Sequence, residues 1–325
     1  MEKIVIRGRP EICARHEQQF REAGLEVLRC HSKGDLAQAA KGAKIVMCYG
    51  GGITGEVMEN FDASVKWIIQ MFVGLDNYDV DAATRKGIGV CNNPNYGTEE
   101  VAAMAISLFL TIMRKTALYD RQIKAGKWPH GKENTIPYSG RRLSTMTFGI
   151  VGFGAIGRQC AKFAKGLGMN VVACSPHCPD QVFAEYGVRR VSMEELYALS
   201  DAISLHTPLR ADNRRLIGRE AFAQMKDGVF FINTARGALV DEEALIEALN
   251  SGKVAAAGLD VFEEEPLPKD SPLLKMDNVV LTPHAAYHTA ESEEDIENLS
   301  AEIVLQIMRG EVPASCVNKK QLGLS

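Results

Sequence analysis

Two hydrophobic periods alternate along this chain. Lys3 to Ile6, Glu26 to Leu28, Lys44 to Cys48, Val65 to Ile69 and Gly89 to Cys91 are short apolar runs of strand length. Between them, a polar stretch through Phe20, one near Leu36 to Ala40 and one near Val80 to Lys86 carry helical spacing. Strand and helix in strict alternation predict a parallel α/β domain. Thr98 to Tyr119 then reads as one long helix, with Thr98 as N-cap and Val101, Ala105, Leu108 and Ile112 on one face.

Residues 120–146 interrupt the pattern with a polar stretch that holds Trp128, Pro129, Pro137 and a Gly140-Arg141-Arg142 turn. It reads either as a surface loop or as an arm that buries Trp128 against a second subunit, and the arm is the expectation because a large exposed aromatic gains from a partner. Strands resume at Phe148 to Val151, Asn170 to Cys174, Ala202 to Leu205, Val229 to Asn233, Ala255 to Leu259 and Val279 to Leu281. Ser192 with Glu195 forms a predicted capping box, and Asp241 caps a helix that stops at Gly252. The last apolar-periodic stretch, Ile296 to Met308, is expected to fold back on the N-terminal domain. The expected fold class is therefore α/β, with two Rossmann-like or flavodoxin-like parallel-sheet domains and a cleft between them. Residues 1–98 with 287–325 would make a discontinuous substrate (catalytic) domain and residues 99–286 a dinucleotide-binding domain, joined by two crossings that act as a hinge.

The heptapeptide VGFGAIG, Val151 to Gly157, lies between a strand and an amphipathic stretch. In that context G-x-G-x-x-G predicts a bound dinucleotide: Gly152 makes the tight turn, Gly154 admits the pyrophosphate and Gly157 lets helix and strand pack closely. The anion would sit on the helix N-terminus at Ala155 and Ile156, where free N–H groups and the dipole favour negative charge.

Ligands of open parallel sheets bind beyond the carboxyl ends of the strands, so those positions are where chemistry is expected. They carry His206-Thr207-Pro208, Thr234-Ala235-Arg236-Gly237, Asp260 with Glu263 to Glu265 beyond, and Thr282-Pro283-His284. An arginine, a carboxylate and a histidine suit hydride transfer to a keto acid. A guanidinium offers a two-pronged donor to carboxylate and carbonyl oxygen, and an imidazolium donates the proton a developing alkoxide needs. A carboxylate beside the imidazole orients it and favours its charged form. The loop Phe72-Val73-Gly74-Leu75-Asp76 follows a first-domain strand in the same way, and its amides could hold a substrate carboxylate.

Composition narrows the classes. The chain has 325 residues, 46% hydrophobic and 24% charged, which is enough for two cores and free of disordered bias. A formal net charge of -4 offers no broad basic surface for nucleic acid, and the apolar runs are too short to span a bilayer. MEKIVIRG reads as a strand rather than a secretory signal, so a cytoplasmic location is expected. The eight cysteines are scattered and read as reduced, mostly buried thiols; Cys174 and Cys178 lack C-x-x-C spacing, so no metal site is expected.

The motifs together resemble the D-isomer-specific 2-hydroxyacid dehydrogenase family over essentially the whole chain. The matching segments are VGLDNYD (Val73 to Asp79), NPNYGTEEVA (Asn93 to Ala102), the glycine loop, HTPL (His206 to Leu209), NTARGALVDEEAL (Asn233 to Leu245), GLDVFEEEP (Gly258 to Pro266) and TPHAAY (Thr282 to Tyr287). The resemblance is nearest the subgroup that includes the C-terminal binding protein corepressors, with phosphoglycerate dehydrogenase-like members beside it. It implies Arg236 as substrate-binding arginine, His284 as acid/base and Glu265 as its partner. Cofactor contacts are expected from Gly152, Gly154, Ala155, Ile156 and Gly157, from Ser175, and from His206, Thr207 and Pro208. Thr234, Ala235, Asp260 and Ala286 are expected to join them, Asp260 and Thr207 near the nicotinamide half, with Arg236 and His284 facing cofactor and substrate alike. Gly51, Val73, Gly74 and Tyr287 are the remaining expected substrate contacts. The resemblance also implies a homodimer through the cofactor domains, acting on a small 2-keto or 2-hydroxy acid, with a dinucleotide-sensing binding protein or a phosphoglycerate dehydrogenase-type activity as alternatives.

Two positions depart from the family pattern. Ser175 stands where NAD-preferring members carry an aspartate for the ribose hydroxyls, and no arginine is expected beside it, so NAD is expected with relaxed discrimination and NADP possible. Phe72 occupies a position that is often glycine or another small residue; it either narrows the pocket or packs on its own domain.

Overall fold

The computed structural model describes residues 1–31, 36–130, 136 and 140–324. The chain forms two compact units, Met1–Tyr96 with Thr289–Ser325, and Gly97–His288.

In the first unit the runs read as strands become β1 (Glu2–Arg7), β2 (Leu25–Cys30), β3 (Ile45–Cys48), β4 (Trp67–Gln70) and β5 (Gly89–Cys91). All pair in parallel, in the order β2-β1-β3-β4-β5, the flavodoxin-like arrangement. Every residue of β3 is buried, as in a parallel sheet covered on both faces, and Val5, Val46, Ile68 and Val90 lie in one core with Phe61 and Tyr78. The Ala290–Met308 helix belongs to this unit, starting earlier than the apolar pattern suggested because Thr289 and Ser292 form a capping box. Buried Asn93 fastens it: Nδ2 donates to Met71 O (2.9 Å), Ile296 O (3.1 Å) and Ser300 Oγ (2.9 Å).

The second unit holds β6 (Thr147–Val151), β7 (Asn170–Cys174), β8 (Arg189–Arg190), β9 (Ala202–Leu205), β10 (Val229–Asn233), β11 (Val254–Leu259) and β12 (Val279–Leu281). These are parallel throughout, ordered β12-β11-β10-β9-β6-β7-β8. Counted within the unit, this is the dinucleotide-binding order with one strand added, and it reverses direction between β6 and β9. The Thr98–Arg114 helix lies against the sheet. Phe109 meets Phe148 and Phe230 edge to face, with ring centroids 5.3 and 6.0 Å away, and a Cβ on Gly258 would come within 2.8 Å of Leu108 Cβ.

Two expectations are corrected here. The long helix predicted to run to Tyr119 breaks at Lys115 (φ 55°), and a separate Thr116–Lys124 helix leaves at 61°. That second helix buries no residue, so no core contact keeps it on the first axis. The N-cap of the first helix is Gly97, with Thr98 already inside the first turn. β8, too short to show a period, had no counterpart in the sequence reading. The Ser192–Glu195 capping box and the Asp241 cap are present, with Asp241 Oδ1 accepting from Ala244 N at 3.2 Å. Among the described residues, no single helix is long and apolar enough to cross a membrane. Of the arm, Trp128 is exposed, and Pro137 lies outside the described residues.

Candidate active site

The glycine loop sits where the sheet order reverses. Gly152 takes φ 95°, and a Cβ there would be 2.7 Å from the carbonyl carbon of His206, so β6 and β9 end side by side without room for a side chain. A Cβ on Gly157 would be 2.2 Å from Gly152 O, which fixes the close packing of helix on turn. Gly154 differs: a Cβ on it would meet nothing within 4 Å, because it borders open space at the start of the Ala155–Gly166 helix. The first-turn amides at Ala155 and Ile156 thus face an uncluttered cradle, the arrangement that receives a pyrophosphate. Thr234 Oγ1, at the end of β10, is buried with no hydrogen-bond partner. An open cradle beyond β6 and an orphaned hydroxyl at the end of β10, with β9 between them in the same sheet, fit a bound dinucleotide.

His206 follows β9, with Nε2 2.9 Å from Ser204 Oγ, and desolvation pushes its imidazole down to about 4. It is neutral at physiological pH. Thr207 and Pro208 continue the turn, where Pro208 O accepts from Asn213 Nδ2 at 2.9 Å. Ser175 follows β7 and lines a concavity of about 450 Å³ together with Pro176 and Arg190. The expectation that no arginine stands beside Ser175 is therefore overturned: β8 pairs Arg190 with Ala173, and the guanidinium donates to Pro176 O at 3.0 Å.

The remaining candidates gather at the ends of β10, β11 and β12. Asn233 folds the turn beyond β10, its Oδ1 accepting from Ala235 N (3.0 Å) and its Nδ2 donating to Arg236 O (2.9 Å). Arg236 Nη1 donates to Ala235 O at 2.6 Å. Beyond β11, Asp260 is fully buried and acts as a clamp on the loop after β12. Its Oδ1 accepts from Thr282 Oγ1 (2.6 Å) and Ala285 N (3.0 Å), its Oδ2 from Ala286 N (3.0 Å), and its backbone oxygen from His284 N (2.7 Å). Held this way, His284 adopts φ 53°, a conformation a non-glycine residue keeps only when its surroundings impose it.

His284 Nδ1 lies 2.7 Å from Glu265 Oε2, while Glu265 Oε1 accepts from Phe262 N at 3.0 Å. Burial opposes the Glu265 charge, yet the His284 hydrogen bond, the Phe262 amide and the charges of His284 and Arg236 outweigh it and hold the carboxyl below its usual range. Arg236, Glu265 and His284 thus share one electrostatic neighbourhood inside the second unit. Tyr287 follows in the same loop, its ring 5.9 Å from that of His288. Gly51, Val73 and Gly74 belong to the first unit, beyond β3 and β4, where Asn92 Nδ2 donates to Val73 O (2.7 Å) and Gln70 Nε2 to Gly74 O (3.2 Å). Phe72 packs edge-on against Tyr49 (4.8 Å) and Tyr96 (5.7 Å) of its own unit. Among the described residues, no group of three or more His, Cys, Asp or Glu is placed to hold a metal ion.

Sequence reasoning missed Arg190 and the clamping function of Asp260. No linear signal marks either, since both depend on which strands are neighbours.

Comparison with known proteins follows the same lines. The family model for the NAD binding domain of D-isomer specific 2-hydroxyacid dehydrogenases matches residues 106–286. D-3-phosphoglycerate dehydrogenase of Methanocaldococcus jannaschii is 40% identical over 296 residues, 90% of this chain and 55% of that one. The chain spans about half the length of this and the other phosphoglycerate dehydrogenases it matches. Glyoxylate reductase of Korarchaeum cryptofilum is 40% identical over 264 residues, covering 81% of this chain and 79% of that protein. The crystal structure of a glyoxylate reductase from Paecilomyes thermophila superposes with a TM-score of 0.88 at 31% identity, over 98% of this chain and 99% of that one. By sequence, by sheet order and by the residues at its strand ends, this chain belongs to the D-isomer specific 2-hydroxyacid dehydrogenase family.

Proposed function

We propose that the protein reduces a small 2-keto acid to the D-2-hydroxy acid with NAD(P)H, and runs the reverse oxidation. The observation that carries this reading is the 2.7 Å contact between His284 Nδ1 and Glu265 in the neighbourhood of Arg236. Gly152, Gly154, Ala155, Ile156 and Gly157 would hold the dinucleotide phosphates and Thr234 part of the cofactor beyond them. When bound, the reduced nicotinamide supplies a hydride to the carbonyl carbon.

Arg236 binds the substrate carboxylate and carbonyl oxygen through its planar fork and so fixes the carbonyl for attack. Because Nδ1 of His284 faces Glu265, Nε2 is the atom left to give a proton to the alkoxide oxygen. Glu265 keeps the imidazole oriented for that transfer. In the oxidative direction neutral His284 accepts that proton back. The relatives named as glyoxylate and hydroxypyruvate reductases support a short side chain on the substrate.

A panel of pyruvate, hydroxypyruvate, glyoxylate and phenylpyruvate tests the reading. On the best of these, Arg236→Ala and His284→Ala are each expected to cost at least roughly a hundredfold in kcat/KM. Near-normal activity in either variant refutes the assignment; no turnover on any substrate, with NADH still bound, replaces it with a dinucleotide sensor. We also infer a homodimer through the second unit. Tyr119, Ile123 and Trp128, the last 68% exposed, lie on or just beyond a helix that buries nothing. Sedimentation equilibrium should give twice the chain mass.

A further inference from the structure

We propose that Arg190 reads the adenosine ribose of the cofactor, and that through it the concavity beyond β7 accepts a 2′-phosphorylated dinucleotide as well as an unphosphorylated one. This rests on the dinucleotide reading above and concerns a residue that motif matching leaves unassigned.

The edge strand sets the position of Arg190. Val191 N donates to Ala173 O at 3.0 Å, and Ala173 pairs with Arg190, so a residue remote in sequence is delivered to the end of β7, next to Ser175. The guanidinium is already ordered there. One nitrogen donates to Pro176 O at 3.0 Å, another to the Asp180 carboxylate, and the group lies 5.6 Å above the Phe183 ring. These contacts leave guanidinium N–H groups over. Asp180 is a weak competitor, because its side chain is 83% exposed and such pairs exchange readily.

Ser175 contributes by what it lacks: a carboxylate there would repel a 2′-phosphate, while a hydroxyl can still bond a ribose oxygen or a phosphate. Of the acids lining the same concavity, Glu195 is engaged, accepting from Ser192 N at 2.9 Å and Arg189 Nη2 at 3.4 Å. Glu194 also lines it. A 2′-phosphate therefore meets the carboxylates of Glu194 and Glu195, and that of Asp180 on the guanidinium itself, as well as Arg190, so the guanidinium offsets their repulsion without making NADPH strongly preferred.

Fluorescence titration of the full chain with NADH and with NADPH tests this without turnover. The two Kd values are expected to agree within about tenfold, and Arg190→Ala to raise the NADPH-to-NADH Kd ratio by about tenfold or more, with Arg190→Lys between. Calorimetry with adenosine 2′,5′-bisphosphate and 5′-AMP should show the same change, tied to the 2′-phosphate alone. A wild-type chain that binds NADH but binds NADPH roughly a hundredfold more weakly, or an Arg190→Ala ratio that does not move, overturns the proposal and leaves the reductase reading standing. Binding of neither dinucleotide overturns both.

Discussion

A Cβ on Gly237 would fall 1.9 Å from the carbonyl carbon of Phe262, so the turn after β10 and the loop after β11 touch backbone to backbone. Arg236 immediately precedes that contact, and Glu265 lies on the same loop as Phe262, accepting from its amide. The distance between the guanidinium and the carboxylate that feels its charge is therefore set by a position with no side chain.

Gly237→Ala should force the two loops apart. A loss of folding stability of about 1–3 kcal/mol is expected, the usual cost of overpacking a closed contact, together with a fall in kcat/KM on the best keto acid. Urea denaturation checks the first and steady-state kinetics the second. Unchanged stability would show that the loops can separate freely.

Gly154→Ala should behave in the opposite way. The position is open and its φ of −75° suits alanine, so the fold should keep its stability within about 0.5 kcal/mol. The added methyl would occupy the cradle at the helix start, and NADH affinity should drop by about tenfold or more in fluorescence titration. Retained affinity would place the pyrophosphate elsewhere.

Glu265→Gln keeps a hydrogen-bonding group beside His284 and removes its charge. The amide cannot balance the positive charge that His284 carries while it donates, so kcat/KM for reduction should fall by about tenfold or more in the variant. Glu265 itself is held below the usual carboxylate range. Its contribution to stability is thus present above the unfolded value and is lost as pH falls through the lowered one. Unchanged kcat/KM in the variant would remove Glu265 from the proton-transfer step.

His206 makes a pH-dependent contribution to folding. Desolvation lowers it from 6.5 to about 4, so the unfolded chain binds a proton that the folded chain refuses. Stability is full above the unfolded value and should fall between pH 6.5 and about 4, by up to about 3 kcal/mol. Comparing urea midpoints at pH 7 and pH 5 for the parent and for His206→Gln isolates the histidine's contribution. Equal acid sensitivity in both would assign the loss to other groups.

The sequence held more of this molecule than its length suggests. Strand and helix alternation, the capping box at Ser192 and the three glycines after β6 are all encoded within a few residues of where they act. Apolar runs marked the segments that hold Arg236, Glu263 to Glu265 and His284, and the family resemblance singled out the three residues among them. Periodicity did fail at Lys115: a helix break needs only one residue in the left-handed region, and what selects it is the absence of core contacts beyond it.

What the chain could not declare along its length is adjacency. Arg190 reaches Ser175 only because the β8 edge strand pairs with β7, and Asp260 sets the His284 backbone only because β11 lies beside β12. Local sequence determines where strands start and stop, since φ/ψ preference and apolar spacing act over one or two turns. Sheet register, fixed by the burial of whole faces, decides which strand ends meet, and the chemistry sits where they do.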